Sequence, residues 1–193
     1  MQLPEQIEAK RILLKHPTNP TFQLAEELYA VVNQSRESLD EWLGWVHKTN
    51  SAEDHFTNFF INWSQKHWKE GSGFAYIIHK KEDNKALGVV DLFHIDDESQ
   101  SGEFGYWLGN EAAGHGYMQE AIKALEAAAF QAGINRIVIE NDPQNFRSVH
   151  VAQKCGYILE GVLRQNVWDG YHKRLADTNV WAKLKSDWEK EGL

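Results

Sequence analysis

Apolar residues recur along this chain first at the spacing of helices and then mainly at that of strands. Arg11 to Lys15 (Arg-Ile-Leu-Leu-Lys) reads as a short opening strand. From Asn19 to Ser35, Phe22, Leu24, Ala25, Leu28, Val31 and Val32 fall on one stripe, which predicts an amphipathic helix. Glu37 to Val46 carries Leu39, Trp42, Leu43 and Trp45. Ser51-Ala52-Glu53-Asp54 has the form of a capping box with Asp in the fourth place. It predicts a helix to about Glu70 that bears Phe56, Phe59, Phe60, Trp63 and His67. Gly71-Ser72-Gly73 breaks that helix. Phe74 to His79 and Ala86 to His94 then form a hairpin around Asp83-Asn84-Lys85, and a third strand runs from Gly102 to Leu108. A helix from Tyr117 to Ala132 ends at Gly133, and Arg136 to Glu140 is a β-branched strand. Asn145 to Cys155 is helical up to Gly156. Tyr157 to Trp168 and Arg174 to Leu184 are two strands joined by a tight turn at Asp169-Gly170. This order predicts a mixed α/β sheet in one domain spanning residues 1–193.

Composition fits that picture. The chain has 193 residues, 42% of them hydrophobic, with 8 Trp, 9 Phe and 6 Tyr, so a substantial core is available. The net charge of −8 disfavours direct binding to nucleic acid and favours a cationic partner, although it also serves solubility alone. One cysteine, Cys155, excludes an intrachain disulfide and a multi-cysteine zinc site, and the histidines show no metal-ligand spacing. No apolar run has membrane-spanning length and no secretory pattern opens the chain, so the cytoplasm is the expected location.

The chemistry concentrates between Gly105 and Leu125. There a strand enters a turn holding Gly114 and Gly116, and the turn opens a helix at Tyr117. Free N–H groups at a helix start, with the helix dipole behind them, suit a pyrophosphate, and glycine lets the main chain approach it. The segment is no nucleotide P-loop, because Gly-Lys-Ser/Thr is missing, and the dinucleotide Gly-x-Gly-x-x-Gly spacing fails at Gln119.

Ala113-Gly114-His115-Gly116-Tyr117-Met118 resembles the acetyl-CoA loop of the GNAT superfamily of N-acetyltransferases. In that family the loop reads Gln/Arg-x-x-Gly-x-Gly/Ala. Gly116 matches the central glycine, Ala113 replaces the usual polar residue, and Met118 replaces the last small one. A more specific match runs from Asn145 through Ser148, Val151 and Lys154 to Gly156-Tyr157. It is similar to the branch that acetylates the N-termini of ribosomal proteins. Gly105-Tyr106-Trp107-Leu108, Trp42-Leu43-Gly44-Trp45 and Leu159 to Arg164 extend the likeness over most of the chain from Arg11 onward.

The resemblance implies a central, mostly antiparallel sheet splayed into a V between the Gly102–Leu108 and Arg136–Glu140 strands, with flanking helices. It implies acetyl-CoA as cofactor, held by the 113–118 loop, by strand main chain at Trp107 and Leu108, and by Asn145 and Ser148. Glu103 becomes the candidate base and Ser148 the candidate acid for the departing thiolate. A second glutamate that some ribosomal-protein acetyltransferases carry on the penultimate strand is Val167 here. The implied acceptor is a primary amine, foremost the basic N-terminus of a ribosomal or other small protein. Small-molecule amines and a non-catalytic acyl-CoA sensor are the alternative readings, and a homodimer is compatible with all three.

Overall fold

The computed structural model describes residues 1–192. Its strands are β1 (Gln6–Glu8), β2 (Ile12–Lys15), β3 (Phe74–Lys80), β4 (Ala86–Asp96), β5 (Ser101–Leu108), β6 (Arg136–Asn141), β7 (Ile158–Asp169) and β8 (Arg174–Leu184). They form one sheet in the order β1-β2-β3-β4-β5-β6-β8-β7. All neighbours are antiparallel except β5 and β6, which are parallel.

The helices are α1 (Phe22–Gln34), α2 (Arg36–Asp40), α3 (Ala52–His55), α4 (Lys66–Glu70), α5 (Tyr117–Gln131), α6 (Phe146–Lys154) and α7 (Lys185–Lys190). Thr21 starts α1 by accepting the Leu24 N–H on its hydroxyl. Gly71, at φ +69°, closes α4 in the left-handed conformation that glycine adopts without strain. Successive residues of a strand face opposite sides, so the sheet packs two cores. On one face Phe104, Ile137 and Ile139 meet α5 and α6 through Ile122, Leu125 and Ala152. On the other, Ile77, Val89 and Trp107 meet α1 and Phe60.

The chain departs from its sequence pattern in five places. A short strand, β1, precedes the expected first strand, and helix α7 follows the last. Both are too short to show a period. The helix from Ala52 to Glu70 is continuous, but Phe56–Gln65 widens into π-helical turns packed with aromatic rings. The Ser51 hydroxyl accepts the Asp54 N–H at 3.0 Å, while Asp54 returns to Asn50 rather than to Ser51. Finally, the β7–β8 hairpin has a four-residue loop, not a tight turn at Asp169-Gly170: Asp169 pairs with Arg174. The Asp169 carboxylate accepts the N–H groups of Tyr171 and His172 and stabilises the wider loop.

A buried charge cluster ties the end of the chain to the core. Lys183 on β8 and Glu126 on α5 are both fully buried and 2.9 Å apart. Lys183 also donates to Glu191 at 2.8 Å and to the Cys155 carbonyl at 3.0 Å. Burial works against the ammonium, but the Glu191 and Glu126 hydrogen bonds outweigh it and hold its pKa up. Removing one partner of a buried pair strands the other. Lys183→Met should cost roughly 3–5 kcal/mol and lower the melting temperature by about 10 °C. Adding Glu126→Leu should recover most of it. A melting curve for Lys183→Met that matches wild type would remove the cluster from the stability of the fold.

Candidate active site

The site begins where a sheet stops being a sheet. β5 and β6 pair only at Ser101–Arg136, Gly102–Ile137 and Glu103–Val138, and then they part. On its other edge β5 stays bound to β4 as far as Leu108. The Gly109 N–H donates to Leu87, and Trp107 stands opposite Val89. Antiparallel alternation therefore turns the main chain of Trp107 toward β4 and that of Tyr106 and Leu108 toward the gap. Unpaired strand groups in a cleft are a template for an extended amide-bearing ligand. Leu108 thus presents main chain to the gap. The main chain of Trp107 is taken up by β4 instead, and its ring is packed in the core, 5.9 Å from Trp45.

At the wide end of the gap lies the loop into α5. Gly114 and Gly116 both sit at φ +79°, where a side chain is strained. A Cβ on Gly114 would meet nothing, so the space in front of the loop is open to a ligand. The first amides of α5 have no intrahelical acceptor and lie at the positive end of the dipole. This cradle fits a diphosphate. The Met118 side chain is buried under α5, and only its main chain is placed to serve the loop. Tyr117 is half-buried, and the exposed His115 turns its Nδ1 to the Ala113 carbonyl at 2.9 Å.

Across the gap, Asn145 caps α6: its side-chain oxygen accepts the Ser148 N–H at 3.1 Å, leaving its amide NH₂ for another partner. The Ser148 hydroxyl lies 2.9 Å from the Tyr106 hydroxyl and accepts from Asn141 Nδ2 at 3.1 Å. The Asn141 oxygen is itself held by Asn179 and by the Trp181 indole N–H, both at 3.2 Å. The indole N–H, which can only donate, defines which end of the Asn141 amide faces Ser148. Burial raises the Tyr106 pKa, so its hydroxyl keeps its proton near neutral pH.

Glu103 projects to the opposite face, toward the π-helical turns. His94 stands in an irregularity of β4 between Phe93 and Asp96, at φ +48°, and its Nδ1 reaches Glu103 at 2.9 Å. Asp91 lies diagonally from Glu103, opposite Gly105. Its Oδ1 is inaccessible and has no partner. Burial, with added repulsion from Glu103, pushes the Asp91 carboxyl up to about 7. Gly105 makes room for it, since a Cβ there would come within 2.4 Å of Oδ1. Glu140 on β6 is raised as well, by partial burial and then by Glu103. The rings of Trp63 and Phe93 border this acidic floor, 6.5 Å apart.

Glu103 and Ser148 therefore lie on the two faces of β5, on either side of the parting strands. Sequence reading missed Tyr106, Asn141, Asp91 and His94 as parts of the site. Asp91 alone left a local trace, an acid within the apolar run Leu87–Phe93. Cys155 is buried, with its thiol pushed up to about 12 by desolvation, which suits packing and not nucleophilic attack. Tyr157 is a core residue whose ring lies 6.0 Å from the Lys183 ammonium. Among the described residues no cluster of metal-ligating side chains occurs, and no helix is long and apolar enough to cross a membrane.

A splayed sheet with a glycine loop at its mouth is the architecture of an N-acetyltransferase that takes its acetyl group from acetyl-CoA. The chain belongs to that family: a model described as "Acetyltransferase (GNAT) domain" matches residues 11–158. It is 29% identical over 160 residues to the ribosomal-protein-serine acetyltransferase of Escherichia coli (strain K12), covering 81% of this chain and 85% of that one. The microcin C7 self-immunity acetyltransferase MccE, solved with acetyl-CoA and AMP, superposes with a TM-score of 0.81 at 29% identity, over 91% of this chain and 93% of that one. RimL, the ribosomal L7/L12 alpha-N-protein acetyltransferase solved with coenzyme A, shares the fold with a TM-score of 0.85 at 23% identity, over 95% and 99% of the two chains. Two of these three relatives are named for the acetylation of ribosomal proteins, and the third for self-immunity to microcin C7.

Asp91 yields a test of the floor. Folded, it keeps its proton to about pH 7, whereas the unfolded chain loses it near 3.8. Between those values the folded state binds more protons, so Asp91 lowers stability as pH rises. Asp91→Asn removes that loss. Its melting temperature should exceed that of wild type by a few degrees at pH 8 and match it at pH 4. A gap between the two proteins that stays constant across this range would contradict the buried, protonated carboxyl.

Proposed function

We propose that this enzyme acetylates the N-terminal α-amine of a small protein of the ribosomal type, with Glu103 as base and Ser148 as acid. The observation that carries the reading is the placement of these two groups on opposite faces of the strand bordering the gap. An α-amine has a pKa near ~8, so a good share is already neutral at physiological pH and modest help suffices. Glu103, oriented by His94, takes the amine proton directly or through one water. The amine nitrogen bonds to the thioester carbon. A strand N–H facing the gap, at Tyr106 or Leu108, stabilises the charge developing on the carbonyl oxygen. The carbon–sulfur bond breaks, and Ser148 gives its proton to the thiolate. Tyr106 returns a proton to Ser148 and is reprotonated from solvent, to which Glu103 releases the amine proton. The products are the amide and free CoA thiol, and both groups return to their starting state.

Cofactor roles follow the same layout. The N–H groups of residues 114–118 hold the diphosphate, Leu108 pairs with the pantetheine arm, and the Asn145 amide meets it from α6. The Glu103 and Glu140 carboxylates of this floor attract an ammonium, and the net charge of −8 extends that pull to a basic N-terminal tail. A second reading, a small cationic amine, draws on the β7–β8 loop. His172 stands between Asp169 at 2.7 Å and Glu41 at 3.5 Å, with Trp42 beside it. A panel of N-terminal peptides, polyamines and amino sugars, followed by thiol release, separates the two readings. With a basic acceptor, kcat/KM should fall as salt rises. A salt-independent kcat/KM would remove electrostatic steering.

Two variants test the chemistry. Glu103→Gln should bind CoA normally and lose about 10²–10⁴-fold in turnover near neutral pH, with the loss shrinking as pH rises. A loss under about threefold would end its role as base. Ser148→Ala and Tyr106→Phe should each slow turnover most at low pH, where the thiolate needs a proton. Combined, they should cost little more than Ser148→Ala alone, because they act in one step. Fully additive losses would break the relay.

A further inference from the structure

Ala113 leaves the diphosphate loop without the polar side chain that its sequence position usually carries, yet a cation reaches the loop from elsewhere. Arg11 lies in the β1–β2 turn, far away in sequence. Its Nη1 donates to the His115 carbonyl at 2.9 Å, and its Nε donates to Glu120 at 2.8 Å. The guanidinium lies over the Tyr117 ring, 4.6 Å from its centre. Its Nη2 would stand 3.4 Å from a Cβ placed on Gly116. The main-chain N–H of Arg11 also donates to Glu120, so the carboxylate is gripped twice.

We propose that Arg11 is a positioning residue for the cofactor loop: by taking the His115 carbonyl it turns the Gly116 N–H toward the diphosphate of acetyl-CoA. The argument is geometric. The His115–Gly116 peptide is trans, as every peptide of the described chain is. In a trans peptide the C=O and the following N–H point in opposite directions. A carbonyl held on the Arg11 side therefore aims its N–H at the open side. The bond is charge-assisted, so it also polarises the peptide and makes that N–H a better donor.

A second effect acts through Glu120. This carboxylate sits in the first turn of α5, near the place where a diphosphate binds. Partial burial raises its pKa, but the Arg11 hydrogen bonds outweigh that and keep it ionised. Without Arg11 its charge would face the incoming phosphates uncompensated. Arginine suits both tasks because its fork serves the carboxylate and the carbonyl together. The inference rests on the reading that the 114–118 loop holds the diphosphate.

The rival role for Arg11 is a mere staple between the β1–β2 turn and α5. Calorimetric affinities for CoA, dephospho-CoA and pantetheine distinguish the two. Wild type should bind both diphosphate ligands far more tightly than pantetheine. If it does not, the loop reading itself fails, and this inference with it. Arg11→Met should weaken CoA and dephospho-CoA alike, by about ten- to hundredfold, the size expected for a charged hydrogen bond. Pantetheine affinity should stay within about threefold. Arg11→Met/Glu120→Gln should recover part of the loss, because the stranded carboxylate is gone. Equal weakening of all three ligands would make Arg11 a staple. Loss confined to CoA would make it a contact for the 3′-phosphate. Unchanged CoA affinity in folded Arg11→Met would also overturn the proposal. A circular dichroism melt of each variant establishes that folded protein is being compared.

Discussion

Everything in this enzyme depends on β5 and β6 parting after three residue pairs. Inside a sheet, strand N–H and C=O groups without partners are costly, and proteins seldom leave them so. Here the main chain beyond Glu103 on β5 and beyond Val138 on β6 is released on facing edges. The opening persists because each strand is anchored on its far side, β5 by β4 and β6 by β8. The cost of the open gap is offset when an extended, amide-bearing arm fills it.

The same parting explains how the chemistry is divided. Side chains alternate across β5, so Glu103 faces the aromatic, acidic side and Tyr106 the side of α6. A ligand threaded through the gap meets both faces at once, which a closed sheet would forbid. In the mechanism we propose, proton removal by Glu103 and proton donation by Ser148 are thereby kept apart. The acid side is rigid: Ser148 is held by Tyr106 and Asn141, and Asn141 by Asn179 and Trp181. The acceptor side is built on charge and aromatic surface, with Asp91 buried next to the base.

How much of this was legible beforehand follows from distance along the chain. Local signals read well: the glycines at 71 and 133, the end of the Asn145–Cys155 helix at Gly156, and the strand into Gly114 each act over a few residues. The parting of β5 and β6 was readable only through family likeness, since no local pattern announces a missing pairing. Elements without a period, β1 and α7, were invisible. So was the widening of the Phe56–Gln65 helix, because π and α turns bury similar aromatic stripes. The site partners that escaped notice join residues distant in sequence. Arg11 meets His115 and Glu120 over more than a hundred positions, and Tyr106 meets Ser148 over forty-two. Asp91 was visible as an isolated acid, but its meaning came from Gly105 opposite and Glu103 on the diagonal.

The central claim is that CoA binds as an added strand in the gap, and amide hydrogen exchange tests it most directly. Exchange rates would be measured residue by residue, with and without saturating CoA. The account predicts strong slowing at an amide of β5 that faces the gap, Leu108 or Tyr106, together with the loop amides from Gly114 to Met118. Trp107, already paired with β4, should change little. Tight CoA binding that leaves the Tyr106 and Leu108 amides exchanging at their free rates would contradict it.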